Sequence, residues 1–85
     1  ELDMKETKFL DRLQMIFRDV FGDENINITN KTNANDIENW DSFMHITLLA
    51  AVQDEFAVEF SMEEIIEIKN AGDMVQLLKE KLNGK

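Results

Sequence analysis

Apolar residues recur at three- and four-residue spacing near the start of the chain: Phe9, Leu10, Leu13, Ile16, Phe17 and Val20. On a 3.6-residue period they share one face, so the spacing predicts a helix over residues 8–21. Asp3, with Glu6 three positions on, suits its N-terminal cap. Gly22 follows the apolar stripe and suits the left-handed conformation that ends helices. Arg12 and Arg18 fall off the stripe and are expected in solvent.

The pattern then lapses. Residues 23–39 are polar and rich in asparagine, with Ile26, Ile28, Ala34 and Ile37 the apolar exceptions. A connection this long in a small domain is functional or tied down, and Ile28 and Ile37 are the expected anchors. A second helical pattern runs from Ser42 to Phe56, where Phe43, Ile46, Leu48, Leu49, Val52 and Phe56 cover more than one stripe. Such a helix is packed on several sides, leaving Gln53, Asp54, Glu55 and Glu59 for solvent. The faint alternation over residues 55–61 reads as the end of that helix and a turn. Ser61-Met62-Glu63-Glu64 is a capping box, which starts a short helix with Met62, Ile65, Ile66 and Ile68 on its apolar face and Glu63, Glu64 and Glu67 exposed. Asn70-Ala71-Gly72-Asp73 reads as a turn with Asn70 or Gly72 near the next cap. A last helix follows, carrying Met74, Val75, Leu77, Leu78 and Leu82, ended by Gly84 and with Lys79 and Lys81 suited to the negative end of its dipole. The expected architecture is an all-α four-helix bundle, three longer helices and one short, forming a single domain over residues 1–85 with its core at about 8–82.

The polar segment delivers the chain to Trp40-Asp41-Ser42-Phe43. Asp41 is a good N-cap for the second helix, since its carboxylate can accept from a free first-turn amide. That places Ser42 at the first helical position, pointing outward beside the positive end of the helix dipole, where a phosphate is favoured. Read alone, an Asp-Ser pair before a helix is a cap and a solvated residue.

Length, charge and composition narrow the chemistry. A chain of 85 residues buries about 60 to 65% of its unfolded surface, which leaves little room for a large active-site cavity. It has no cysteine, hence no disulfide framework, thiolate metal site or cysteine nucleophile. Eighteen acidic against nine basic residues give a net charge of −9, which argues against nucleic acid or an anionic membrane and for basic protein surfaces as partners. No apolar run reaches the ~20 residues of a membrane span, and Glu1-Leu2-Asp3-Met4-Lys5 lacks the order of a signal peptide. A cytoplasmic monomer is expected. Met4 is compatible with a native start.

Four candidate motifs are set aside. Asp23-x-Asn25-x-Asn27 opens like a calcium loop, but Ile28 stands at the glycine position and Ala34 at the closing glutamate position. Asn27-Ile28-Thr29 and Asn30-Lys31-Thr32 match the glycosylation pattern but have no secretory signal upstream. His45, one turn after Ser42, invites a hydrolytic Ser-His pair, yet there is no Gly-x-Ser-x-Gly elbow and no third orienting residue, so His45 is expected at the surface. Asp54-Glu55 and Glu63-Glu64 read as a solvated acidic face rather than general acid and base.

Asp41-Ser42-Phe43, followed by His45-Ile46-Thr47-Leu48-Leu49 and by Gln53-Asp54-Glu55-Phe56-Ala57-Val58-Glu59-Phe60, resembles the acyl carrier protein family over Lys8 to Leu82. The resemblance implies the same order of long, long, short and long helices. It also implies that Ser42 receives 4′-phosphopantetheine from coenzyme A, its oxygen attacking phosphorus on the surface of a holo-carrier-protein synthase, a phosphopantetheinyl transferase. Asp41 would present the serine, and the imported thiol would hold acyl cargo as a thioester. By the same resemblance the chain is a substrate rather than an enzyme. Acyl-transferring or acyl-activating enzymes with basic patches would dock on Phe43, Asp54, Glu55, Glu59, Glu63, Glu64 and Glu67, acids that otherwise serve solubility alone. Phe43 replaces the usual leucine. Thr47 stands where fatty-acid carriers often have glutamate, and Met44 and His45 make the first turn less acidic, which favours a dedicated pathway over a housekeeping one. Phe43, Ile46, Leu49, Ile65 and Ile68 are expected in the core, able to line a short-chain pocket if the second and third helices part. Fatty-acid, polyketide or other acyl cargo, and aminoacyl or peptidyl cargo, remain open. The rival from another class is an acidic helical interaction module without a prosthetic group.

Overall fold

The four stretches of helical periodicity become four helices in a computed structural model, which describes residues 4–83, with side chains over residues 8–82. They are α1 (Met4–Phe21), α2 (Ser42–Phe56), α3 (Met62–Glu67) and α4 (Ala71–Asn83). The first begins before the expected Lys8, because Met4 to Thr7 includes no helix breaker and the helix propagates past its apolar stripe. The Asp3 cap and the Gly84 stop lie outside the described residues. Gly22 ends α1 with φ +65, and the Asp23 amide returns to the Arg18 carbonyl at 3.0 Å.

Leu13 and Phe17 of α1 are fully buried against Leu48, Leu49 and Val52 of α2 and Met74 and Leu78 of α4, and α1 packs on both of those helices. Both ends of α2 are fastened to α1 by rings. At its C-terminal end Phe56 meets Phe9 edge-on at 5.6 Å. The Arg12 guanidinium sits 4.2 Å over the Phe56 ring and pairs with the Glu55 carboxylate at 2.9 Å. Arg12 is exposed as expected, and from the surface it also braces α1 against the end of α2. Arg18 departs from expectation. Its Nε donates to the Ile26 carbonyl at 2.8 Å and its Nη2 to Asn27 Oδ1 at 3.0 Å, which holds the start of the long connection against α1.

That connection is tied down along its length. Ile28 and Ile37 are buried as expected. The short polar side chains close local turns: Asp23 accepts from the Asn25 amide, Thr29 from Lys31 and Asn33 from Asn35, which explains the Asn/Asp/Thr composition. Asp23 and Asn27, the first and fifth positions of the calcium-like motif, are thus occupied in loop bonds. The middle of the loop docks on the start of α4. The amides of Ala71 and Gly72 donate to the carbonyls of Thr32 and Asn30 at 2.8 and 2.9 Å, and Asn33 bridges Asn70. A Cβ on Gly72 would stand 2.7 Å from the Asn30 oxygen, so glycine is needed there for close approach. Asn70 is the cap, its Oδ1 accepting from the Asp73 amide at 2.8 Å, and Gly72 lies inside the first turn.

The other two caps follow the sequence. Asp41 Oδ1 accepts from the Met44 amide at 2.9 Å. Ser61 and Glu64 form the reciprocal box, and Ala57 ends α2 in the left-handed conformation. Gln53 is not free for solvent: its Oε1 accepts from the Phe60 amide at 2.8 Å and so fixes the α2–α3 turn. Several apolar positions expected inside are outside. Phe43 is 75% exposed, Ile46 50%, Met62 58% and Ile66 66%, while Leu82 is also exposed. Leu48, Leu49, Val52 and Phe56 suffice to fill the α2 side of the core, and α3, six residues long, buries Ile65 alone.

Two expectations follow. Asp41→Ala is expected to lower unfolding stability by about 1 kcal/mol through loss of the α2 cap, whereas Ser42→Ala changes it by less than about 0.5 kcal/mol, as read by urea denaturation. For Glu64, the Ser61 backbone amide and then the Lys81 ammonium hold the carboxyl below the ordinary glutamate range. Ionised Glu64 then contributes stability above its unfolded-state value of about 4.3, and this is lost as the pH falls through the lower folded-state value. A carboxyl-resolved NMR titration is expected to place the Glu64 midpoint below that value, with Lys81→Met raising it.

Candidate functional site

Ser42 occupies the first position of α2 and is exposed. Its place is set from behind by Trp40 and from the side by Asp41. Asn39 takes φ 74, a left-handed turn that asparagine tolerates, and the Asp41 amide closes it onto the Asn39 carbonyl at 3.0 Å. This turn drives the Trp40 indole inward, where it meets Phe17 edge-on at 5.3 Å and lies 6.2 Å from Phe21. The next two residues are left facing out. Asp41 then holds the first turn through two oxygens: Oδ1 takes the Met44 amide and the carbonyl takes the His45 amide at 2.7 Å. The amides of Ser42 and Phe43, the first two of the helix, have no carbonyl one turn behind them to bond. They stand at the positive end of a 15-residue helix, an arrangement that favours an anion on the serine oxygen.

His45 was expected at the surface and is instead half-buried. The Trp40 Nε1–H donates to His45 Nδ1 at 3.0 Å, and His45 Nε2 stands 2.9 Å from the Ile65 carbonyl of α3. With both ring nitrogens engaged, neither is available as a base for Ser42, which removes the hydrolytic pair on geometric grounds. The sequence carried a signal for this bridge that went unread: the chain's one tryptophan and one histidine stand five positions apart, on either side of Asp41-Ser42.

Beside Ser42 a groove of about 500 Å³ runs between α2 and α3. Trp40, His45 and Ile46 form one wall, and Ile65, Ile66 and Ile68 the other. Phe43 and Leu49, expected in such a pocket, are not part of it. The Leu49 side chain faces the core at zero exposure and Phe43 faces solvent, because the two point to other sides of α2. A larger open depression of about 610 Å³ on α1, bordered by Arg12, Met15 and Asp19, contains neither Ser42 nor Asp41.

The acidic residues divide. Asp54, Glu55, Glu59, Glu63 and Glu67 are exposed, but Glu55 is paired with Arg12, and Glu64 is half-buried and paired with Lys81 at 3.1 Å. The first turn of α2 carries no acidic side chain. Asp54 lies twelve residues after Ser42 along the same helix, roughly 18 Å away. Apart from the capping carboxylate of Asp41, the surface of α2 next to Ser42 is apolar, with Phe43 and Ile46 exposed, and Asp54 and Glu55 of the same helix stand further off.

This geometry agrees with what the chain is similar to. Residues 11–78 match the family model described as a phosphopantetheine attachment site. The solution NMR structure of a holo acyl carrier protein from Geobacter metallireducens superposes with a TM-score of 0.82 at 39% sequence identity, over 89% of this chain and 87% of that one. Family model and structural neighbour together cover the four helices, the capped start of α2 and the groove beside it, and the chain belongs to the phosphopantetheine-attachment family, as a carrier domain with the acyl carrier protein fold.

Proposed function

We propose that this protein is an acyl carrier whose Ser42 bears 4′-phosphopantetheine and whose cargo is held on that arm as a thioester. The observation that carries the reading is the placement of Ser42: an exposed hydroxyl at the first position of a helix capped by the residue before it, at the mouth of an apolar groove. In the modification the serine oxygen forms a bond to the phosphorus of coenzyme A nearest the pantetheine, the nucleotide half leaves, and the hydroxyl proton passes to a base of the transferase. The chain's own residues fit the product: the Ser42 and Phe43 amides face an anion there, and Asp41 keeps the helix start in place by bonding Met44 and His45 rather than the serine. The bound arm supplies the thiol that a chain without cysteine lacks. The groove between α2 and α3 is sized to shelter part of a short acyl chain.

Partners on this reading are the phosphopantetheinyl transferase and acyl-transferring or acyl-activating enzymes. Their contact has two parts. Phe43 beside Ser42 offers an apolar anchor, while Asp54, Glu59, Glu63 and Glu67 provide longer-range attraction to basic patches, with Glu55 and Glu64 contributing less because Arg12 and Lys81 already pair with them. Such steering speeds encounter and leaves complexes weak, as a shuttle requires. The exposed start of α2, without a carboxylate, favours a dedicated acyl pathway over general fatty-acid synthesis.

Two measurements test this. Intact-mass spectrometry after incubation with coenzyme A, magnesium and a broad-specificity phosphopantetheinyl transferase is expected to show one added phosphopantetheinyl group, absent in Ser42→Ala. No addition to folded protein with several such transferases would sink the reading and leave an acidic interaction module. In the same reaction, Glu63→Lys combined with Glu67→Lys is expected to lower kcat/KM about tenfold at low ionic strength, the deficit shrinking as salt screens the attraction.

A further inference from the structure

We infer that His45 is a positioning residue for the carried chain: by tying α3 to the start of α2 it sets the width of the groove beside Ser42. The inference rests on the carrier reading for its cargo, and on the hydrogen bonds alone for the tether.

Trp40 Nε1–H can only donate, so the Nδ1 atom it meets at 3.0 Å must be unprotonated. A neutral imidazole with a bare Nδ1 carries its proton on Nε2, which therefore donates to the Ile65 carbonyl at 2.9 Å. The ring accepts on one edge and donates on the other, and it lies beside the indole with centroids 5.9 Å apart and planes at 20°. Trp40 is itself wedged against Phe17 of α1. The relay thus runs from the core of α1, through Trp40 and His45, to the backbone of α3.

That helix has few other attachments. Ile65 is its one buried side chain. The capping box of Ser61 and Glu64 closes on α3 itself, and the Glu64–Lys81 pair reaches α4 on a side where both side chains are about one-third exposed, which water weakens. Among the described residues, no other side-chain hydrogen bond joins α2 to α3. The His45 bond spans the groove walls, since His45 and Ile65 both line it. Widening the groove for a longer or bulkier chain breaks this bond.

Two substitutions separate the halves of the relay. His45→Asn keeps an oxygen near the place of Nδ1 for Trp40 but is too short to reach Ile65. His45→Gln extends an N–H toward the Ile65 carbonyl. In the apo protein, native-state hydrogen exchange at the α3 amides is expected to speed up about tenfold in His45→Asn, with α1 and α4 unchanged, and to return most of the way in His45→Gln. Wild type and His45→Asn are then loaded from acyl-coenzyme A with a short and a long saturated chain. Nuclear Overhauser contacts to Ile46 and Ile66 are expected for the short chain in wild type, and for both chains in His45→Asn. Unchanged α3 exchange in a folded His45→Asn overturns the tether. Faster exchange with the same chain preference overturns its role in cargo selection. Failure of Ser42 to accept the arm is read separately by mass and leaves the apo exchange result standing, so the two failures are distinguishable.

Discussion

The Trp40 indole, 8% exposed and wedged edge-on against Phe17, is the contact through which the position of Ser42 is set. Aromatic pairs of this kind contribute about 0.5–1.5 kcal/mol beyond the area they bury, and here the pair also converts a polar connection into a fixed approach to α2. The left-handed turn at Asn39 aims the indole inward, and the two residues after it are thereby aimed outward. The capping bonds of Asp41 and the imidazole of His45 both act on a backbone that Trp40 has already placed.

The long connection contributes in a different way. Asp23, Thr29, Thr32, Asn33 and Asp36 spend side-chain oxygens on backbone amides two or three residues away, and the carbonyls of Asn30 and Thr32 receive the first amides of α4. A segment with little apolar content is held by satisfying backbone groups rather than by burial. The same bonds cap α4, so the loop and the last helix depend on each other. Gly72 is the point of closest approach.

Around Ser42 the chain separates its two kinds of surface. Net charge is strongly negative, yet the start of α2 presents Phe43, Ile46 and Thr47, and four isoleucines line the groove. If Ser42 carries the arm as proposed, apolar contact next to it gives register at short range. On the same proposal the carboxylates from Asp54 onward attract basic partners at longer range, where direction matters more than fit. Arg12 and Lys81 pair with two of the acidic side chains, Glu55 and Glu64, and offset their charge.

How much of this was legible in the sequence follows from the range of each interaction. Periodicity revealed the four helices, and the caps at Asp41, Ser61 and Gly22 were readable because a cap acts within four residues. The start of α2 at Ser42, and with it the candidate site, came from the same local rule joined to the family resemblance. Positions that periodicity could not assign were those decided by a neighbour distant in the chain. Phe43, Ile46, Met62 and Ile66 look like core residues, but the core is filled without them. Arg12, Arg18 and Gln53 look solvated, but each finds a partner across a turn or another helix. His45 belongs to both groups. Its place after Ser42 was plain, whereas its bond to Ile65, twenty residues on, exists only because the tertiary structure lays α3 against the start of α2. Local hydrogen bonding and periodicity are written in adjacent residues; the meeting of surfaces is decided by how the helices pack.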